Sequence, residues 1–242
     1  MSLSQVRIVL VEPAGELNIG SVARVMKNMC LERLFLVNPQ CNPFSETAQI
    51  MAVHGIDVLK NATIVSSIPM ALQGCNRAIA TMGRIEKIAI ATKLETPSQG
   101  LPWLLENNLE SALIFGSEER GLSNQELNYA QKFVTIPANP DYSSLNLAQA
   151  VAICAYELYQ ASLKEISTTE INHDMASLDS LEGYYQHLES VLLKIGFLQP
   201  HTAKARMEKL RRLYNRIELQ KKEVSMLRGI LRQMNWIINK KK

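Results

Sequence analysis

Three polar, glycine-bearing stretches of this 242-residue chain hold side chains suited to gripping a small molecule: EPAGELNIGSVAR (Glu12 to Arg24), GSEERGLS (Gly116 to Ser123) and IPANPDYSSLNLAQA (Ile136 to Ala150). In the third, Pro137 and Pro140 cannot continue a strand ladder and Asn139 and Asp141 favour turns. Ser143 or Ser144 then sits where an N-cap would open a helix near Leu145. The unpaired amides of such a helix start, with two serines and Asn146, offer short hydrogen-bonding groups to a polar ligand. An ordinary capped helix carries the same residues, so the stretch gains meaning only from its company. In the first stretch Asn18, Gly20 and Arg24 fall at helical spacing; Gly20 permits close packing, and Arg24 projects further along as a site residue or as half of a surface ion pair. The second stretch has the outline of a phosphate loop, but Leu122 stands where lysine is needed, and Glu118 and Glu119 would repel phosphates. An acidic glycine loop suits a cationic or zwitterionic ligand better, a sulfonium being one such group.

All three stretches follow segments that read as strands. Arg7 to Val11 (RIVLV) is a continuous, β-branched run of the kind buried in a parallel sheet, and Leu34 to Val37 follows a helical pattern over Asn18 to Cys30. Further strands are expected at Ala62 to Val65, Arg77 to Thr81, Ala112 to Phe115 and Phe133 to Ile136. Helical patterns lie between them around Thr47 to Leu59, Pro69 to Gly74, Pro97 to Asn107 and Asn124 to Gln131, and a long apolar helix is expected from Leu145 to Leu163. Alternation of this kind predicts an α/β domain on a mostly parallel sheet, and ligands of such sheets gather outside the carboxyl ends of the strands.

The polar segment between Lys164 and Asp179 marks a boundary, giving an expected site-bearing domain over 1–164 and a linker with a helical extension over 165–242. In the extension, apolar stripes through Tyr184, Leu188 and Val191, through Met207, Leu210 and Tyr214, and through Leu227, Leu231 and Met234 predict three amphipathic helices. Three such helices are little material for a separate core, so they are expected to pack on the α/β domain or on a second copy of it.

The net charge of +3 conceals an asymmetry: residues 200–242 hold 13 of the 26 lysines and arginines against three acids, a balance of +10 that leaves −7 for the rest. A polyanion is therefore met by the C-terminal end, as an ordered nucleic-acid surface or as a merely solvated basic face. Tyr184, Tyr185, Tyr214 and Trp236 read as packing residues of these helices, while Tyr142, in the third stretch, is the better candidate for substrate contact. Cys30, Cys41, Cys75 and Cys154 form no Cys-x-x-Cys pair and lie apart from His54, His173, His187 and His201, which suggests neither a metal site nor a disulfide framework. No apolar run reaches bilayer length, and the start MSLSQVRIVLVE lacks signal-peptide flanks, so the expectation is a cytoplasmic protein without membrane contact.

NIGSVAR (Asn18 to Arg24), FGSEERGLS (Phe115 to Ser123) and the third stretch together resemble the three motifs of the SpoU-type branch of the SPOUT RNA 2′-O-ribose methyltransferases. With NPDYSSLNL, KLRRLY (Lys209 to Tyr214) and LRGIL (Leu227 to Leu231), the chain is most similar to the tRNA cytidine/uridine 2′-O-methyltransferases that act at anticodon-loop position 32. The resemblance implies an α/β fold with a deep C-terminal trefoil knot, S-adenosylmethionine as cofactor, tRNA as substrate, an obligate homodimer and no metal. It places the cofactor against Thr81, Met82, Gly83, Gly116, Ile136, Ser143, Ser144 and Leu145. Asn18, Arg24, Glu118, Ser144 and Asn146 match the positions regarded as catalytic or supporting, and Arg84, Tyr142, Arg211 and Arg212 are the expected substrate contacts. The chain departs from the family pattern at Glu16-Leu17, where glycine more often precedes the asparagine, and over Arg84 to Thr96.

Methyl transfer from a sulfonium has a good leaving group, so the obstacle is a poorly nucleophilic ribose hydroxyl, and alignment must overcome it. Arg24, protonated throughout the working range, fits the role of phosphate clamp and alkoxide stabiliser better than that of base. Two alternatives stay open: a ribosomal RNA substrate for the same chemistry, and a non-catalytic RNA-binding dimer.

Overall fold

A computed structural model describes residues 3–83, 94–164 and 174–240; Arg84, an expected substrate contact, lies outside them. In chain order the strands are Val6–Val11 (β1), Arg33–Val37 (β2), Thr63–Val65 (β3), Arg77–Thr81 (β4), Leu94–Glu95 (β5), Ser111–Phe115 (β6) and Lys132–Val134 (β7). The helices are Glu16–Asn28 (α1), Glu46–Ala52 (α2), Ile56–Lys60 (α3), Ile68–Ala71 (α4), Pro97–Gly100 (α5), Asn124–Leu127 (α6), Leu147–Leu163 (α7), Leu178–Lys194 (α8), Pro200–Asn215 (α9) and Lys221–Lys240 (α10). The chain divides into two compact units, Met1–Ile171 and Asn172–Lys242.

The first unit is built on one seven-stranded sheet of order β3-β2-β1-β6-β4-β7-β5. Every pairing in it is parallel. β1 and β6 are buried at every position, as apolar runs covered on both faces should be. From β1 the chain steps outward to β2 and β3, then crosses to β4 on the other side, and β6 inserts between β1 and β4. With all strands parallel, the segments after β1, β4, β6 and β7 emerge on one edge, at the point where the strand order reverses.

Departures from the sequence reading fall where backbone contacts override periodicity. The helix expected over Thr47 to Leu59 is broken into α2, a 3-10 turn and α3. At Gly55 a Cβ would lie 2.5 Å from the Ala23 carbonyl oxygen, so the turn is pressed directly onto α1. Gly20 does the same from the other side, 2.2 Å from the Ala48 carbonyl oxygen by the same measure, as its spacing suggested. The helix expected over Pro97 to Asn107 is a single turn, α5, followed by 3-10 turns over Leu101–Asn108; buried Arg77 donates to the Trp103 carbonyl and fixes them in place. α6 ends four residues early, β7 gives up Thr135 and Ile136 to the following loop, and β5 was not foreseen.

The second unit has the three expected helices and, against expectation, a buried core of its own. Leu181, Tyr184, Leu188, Val191, Met207 and Leu231 are at the heart of it. Aromatic bulk makes this possible: Tyr184 meets Tyr214 edge-on with ring centroids 5.3 Å apart, and Tyr185 Oη donates to Asn215 Oδ1 at 2.7 Å. Tyr184, Tyr185 and Tyr214 are thus packing residues, whereas Trp236 is 55% exposed with Lys240 Nζ 4.8 Å above its ring. No helix among the described residues is long and apolar enough to cross a membrane.

Candidate active site

The loop after β6 folds back upon itself tightly enough that a Cβ on Gly116 would stand 2.2 Å from the Gly121 carbonyl carbon, a contact only glycine avoids. Gly121, at φ +66°, makes the reversal. This fold turns the Glu118 carboxylate toward the loop after β1. Its Oε2 accepts from the Ala14 amide at 3.1 Å, and its Oε1 accepts from the Gly15 amide at 3.2 Å and from Asn18 Nδ2 at 2.8 Å. Burial pushes this carboxyl up, but the bonds from Asn18, from its own backbone amide and from those of Ala14 and Gly15 outweigh it and hold the group below the ordinary glutamate range.

Asn18 in turn accepts from Asn146 Nδ2 at 2.9 Å. Asn146 is the N-cap of α7, its Oδ1 taking the amides of Ala148 and Gln149 at 2.9 and 3.3 Å. The cap expected at Ser143 or Ser144 is therefore displaced to Asn146, and α7 starts at Leu147. The asparagine does two things at once here, capping α7 with its oxygen and donating its amide to Asn18. The hydroxyls of Ser143 and Ser144 are left without a hydrogen bond among the described residues.

A second clamp was not anticipated. Arg120 reaches Glu12 at 2.6 Å and Glu126 at 2.7 Å, tying the end of β1 to the start of α6. Glu126 also closes a capping box with Ser123, a pattern the spacing Ser-x-x-Glu could have disclosed. Its carboxyl, raised by burial, is brought below the ordinary value by Arg120 and Ser123.

Between these loops lies a cleft of ≈ 210 Å³. Thr81, Met82 and Gly83 line it from the end of β4, and Gly116 from the end of β6. Ile136, Ser143, Ser144 and Leu145 line it from the segment leading into α7, so all eight expected cofactor contacts meet in one place. Leu122, Leu127 and Leu147 add an apolar wall, and Glu118 and Glu119, with Arg120 next to them, a charged side of net negative sign. Such a cleft, with exposed backbone groups, an apolar floor and negative charge, fits an amphiphilic cation carrying a flat ring system.

The remaining expected residues stand elsewhere. Arg24 is exposed on α1, has no hydrogen bond or ion pair among the described residues and is absent from the cleft lining. Six residues past Asn18, it lies roughly 9 Å along the helix and well round its circumference from the latch. Tyr142 is 78% exposed beside the cleft. Arg211 forms a fork with Glu182 in the second unit, at 2.5 and 2.8 Å, and its guanidinium lies 4.6 Å over the Tyr185 ring. Arg212 is half-buried on the same helix. Among the described residues no group of three or more histidine, cysteine, aspartate or glutamate side chains could hold a metal ion.

Residues 5–156 match the SpoU rRNA Methylase family, and residues 179–242 match the C-terminal domain of the tRNA methyltransferase TrmJ. The tRNA (cytidine/uridine-2′-O-)-methyltransferase TrmJ of Pectobacterium atrosepticum is 42% identical over 245 residues, covering 95% of this chain and 96% of that protein. The tRNA (cytidine/uridine/adenosine-2′-O-)-methyltransferase TrmJ of Pseudomonas aeruginosa is 40% identical, covering 95% of this chain and 93% of that one. The crystal structure of TrmJ from Z. mobilis superposes with a TM-score of 0.84 at 31% identity, covering 95% of this chain and 98% of that one.

Proposed function

The chain belongs to the SpoU methylase family, on its TrmJ branch, and from that premise we propose that its cleft holds S-adenosylmethionine while tRNA is methylated at the ribose 2′-oxygen of anticodon-loop position 32. The class of activity, tRNA 2′-O-methyl transfer, follows from relatives that match nearly the whole chain. One observation supports the site assignment above the others. A hydrogen-bonded line, Asn146 to Asn18 to Glu118, joins three separate loops around the one cleft in which all eight expected cofactor contacts meet.

S-adenosylmethionine supplies an electrophilic methyl group on a sulfonium. Thr81, Met82, Gly116, Ile136 and Leu145 would hold its adenosyl part, with Gly116 letting its loop fold back tightly enough to shape the cleft. The negative side formed by Glu118 and Glu119 favours the positive charge of the donor. Glu118 itself is already occupied by three donors, so it and Asn18 and Asn146 are positioning residues that fix the loop geometry. Ser143 and Ser144, with hydroxyls unspent among the described residues, are available to the bound molecules.

Arg24 is the candidate catalytic residue. Its charge has no partner among the described residues and it does not line its own cleft, which favours a homodimer in which it serves the site of the second copy. There it would clamp the phosphate beside the target ribose and stabilise the negative charge that develops on the 2′-oxygen. The trefoil knot belongs to the same reading, supported by the crossing that sets β4 between β6 and β7. The basic second unit docks the RNA backbone, and the cytoplasm is the compartment this activity implies.

The test is to incubate the protein with unmodified tRNA and labelled donor, then locate the methyl group by mass spectrometry of nuclease fragments. Label on the ribose of position 32 is the expected result. Label on a base, or on purified ribosomal RNA in preference to tRNA, would overturn the assignment, and RNA binding without consumption of donor would indicate a non-catalytic scaffold.

A further inference from the structure

A second cavity lies within the C-terminal unit, between α8 and α10, with a volume of ≈ 460 Å³. His187 and Ser180 line it from α8, and Lys221, Ser225, Arg228 and Arg232 from α10. No carboxylate is in that lining. Arg228 and Arg232 stand one helical turn apart, where like charges destabilise a helix, yet neither they nor His187 has a hydrogen bond or ion pair among the described residues. Arg228 Nη1 lies against Gly183 of α8, 3.6 Å from where a Cβ would be, so the guanidinium packs on the facing helix. Lys221 of the lining is paired with Asp174 at 2.8 Å, and Lys194 of α8, outside the lining, donates to Asn235 at 2.9 Å. His187 reports the same field: burial first, then Arg228, Arg232 and Lys194, hold its imidazole below the ordinary histidine range.

Converging unpaired guanidiniums with hydroxyls between them are complete only when an anion enters, and the forked donors of arginine match phosphate oxygens. From Lys221 to Arg232 the cations run roughly 16 Å along α10. That length is excessive for one free phosphate and suits the repeated phosphates of a nucleic-acid strand. We infer that the groove between α8 and α10 is a backbone-phosphate site for tRNA, in which Arg228 and Arg232 each grip a phosphodiester. This rests on the reading of tRNA as the substrate.

The experiment measures binding of labelled, unmodified tRNA to the full chain across a salt series. The paired substitution Arg228→Gln, Arg232→Gln should weaken binding about ten-fold and flatten the log-log salt dependence by about one to two, since each lost phosphate contact removes about 0.7 to 0.9. Arg228→Lys with Arg232→Lys should restore most of both. Lys60→Gln with Lys164→Gln, removing equal charge from exposed positions of the first unit, should change the slope little. S-adenosylmethionine affinity should stay unchanged throughout. The inference falls if the glutamine pair keeps the native affinity and slope, or if the Lys60/Lys164 pair loses as much. It falls too if inorganic phosphate binds the native chain and not the glutamine pair while both chains hold tRNA equally, since the groove is then a free-phosphate site. A native chain that methylates tRNA alongside an indifferent glutamine pair overturns the groove alone; a native chain that methylates no tRNA overturns the reading beneath it.

Discussion

Asn18 and Glu118, a hundred residues apart in the chain, meet in a 2.8 Å hydrogen bond that joins the loop after β1 to the loop after β6. The same asparagine accepts from the N-cap of α7, so one side chain communicates between three strand ends. Neither partner can be exchanged for an isostere without loss, because the line runs donor to acceptor in one direction from Asn146 to the carboxylate.

Glu118→Gln tests that direction. Glutamine presents one oxygen and one donor where the carboxylate presents two acceptors, leaving at least one of the Ala14, Gly15 and Asn18 donors unsatisfied. Donor affinity should fall, and so should the thermal midpoint near neutral pH. Because the folded-state carboxyl is held below its ordinary value, its contribution is complete above the unfolded glutamate value of about 4.3 and is lost as pH falls through the lower folded value. Melting curves of native and variant chains should therefore draw together as the pH falls through that lower folded value and meet below it; a gap that persists there would assign the loss to packing instead.

Asn146 separates capping from latching. Asn146→Ala should cost about 1 kcal/mol in urea unfolding from the lost cap alone, with a further loss from the unpaired Asn18 oxygen. Asn146→Asp keeps an acceptor for the Ala148 and Gln149 amides and adds favourable charge at the helix start. It has nothing to donate to Asn18, however, and brings a carboxylate toward Glu118. We expect its stability to exceed that of the alanine variant while kcat/KM on tRNA falls as far. Full activity in the aspartate variant would remove the latch from the mechanism.

Arg24→Ala should abolish methyl transfer by two or more orders of magnitude, as loss of an oxyanion-type donor does, without changing donor binding, since Arg24 does not line its own cleft. Arg24→Lys should recover only a part, lacking the fork. If the residue serves a second copy, mixing Arg24→Ala with Gly116→Val should regain activity, because a hybrid has one intact cleft facing one intact arginine. Gly116→Val is chosen because any Cβ there strikes backbone at 2.2 Å. Failure to complement, where mixed dimers are shown to form, would return Arg24 to its own subunit.

Much of this geometry was legible in the residue order because it depends on local chemistry. The buried strands β1, β4 and β6 announced themselves as continuous apolar runs, and parallel pairing then dictates that their following loops share an edge. What could not be read was which partner each polar group would choose. Ser144 and Asn146 are both acceptable caps, and only the presence of Asn18, 128 residues away, decides for Asn146. Arg120 looked like one more charge in an acidic loop until Glu12 and Glu126 were brought to either side of it. The independent core of the second unit was hidden for a similar reason: Tyr184, Tyr185 and Tyr214 lie on two helices, and their stacking is a tertiary event.

Arg211 combines an expected substrate role with a structural pairing, and its test is a double-mutant cycle. The resemblance carried by KLRRLY made it an expected substrate contact; in the folded unit its guanidinium forks onto Glu182 and covers Tyr185. Both side chains of the pair are less than 20% exposed, and burial works against the Glu182 carboxyl, with Arg211 bringing it below the ordinary range. Removing only the arginine leaves that carboxylate enclosed, so Arg211→Ala should destabilise the second unit by about 1–3 kcal/mol. Removing both partners should cost less than the two single losses combined, with a coupling of about 0.5–3 kcal/mol. The salt dependence of tRNA binding decides the role: a structural arginine, replaced together with Glu182, leaves the slope unchanged, whereas a phosphate contact lowers it by about 0.7 to 0.9.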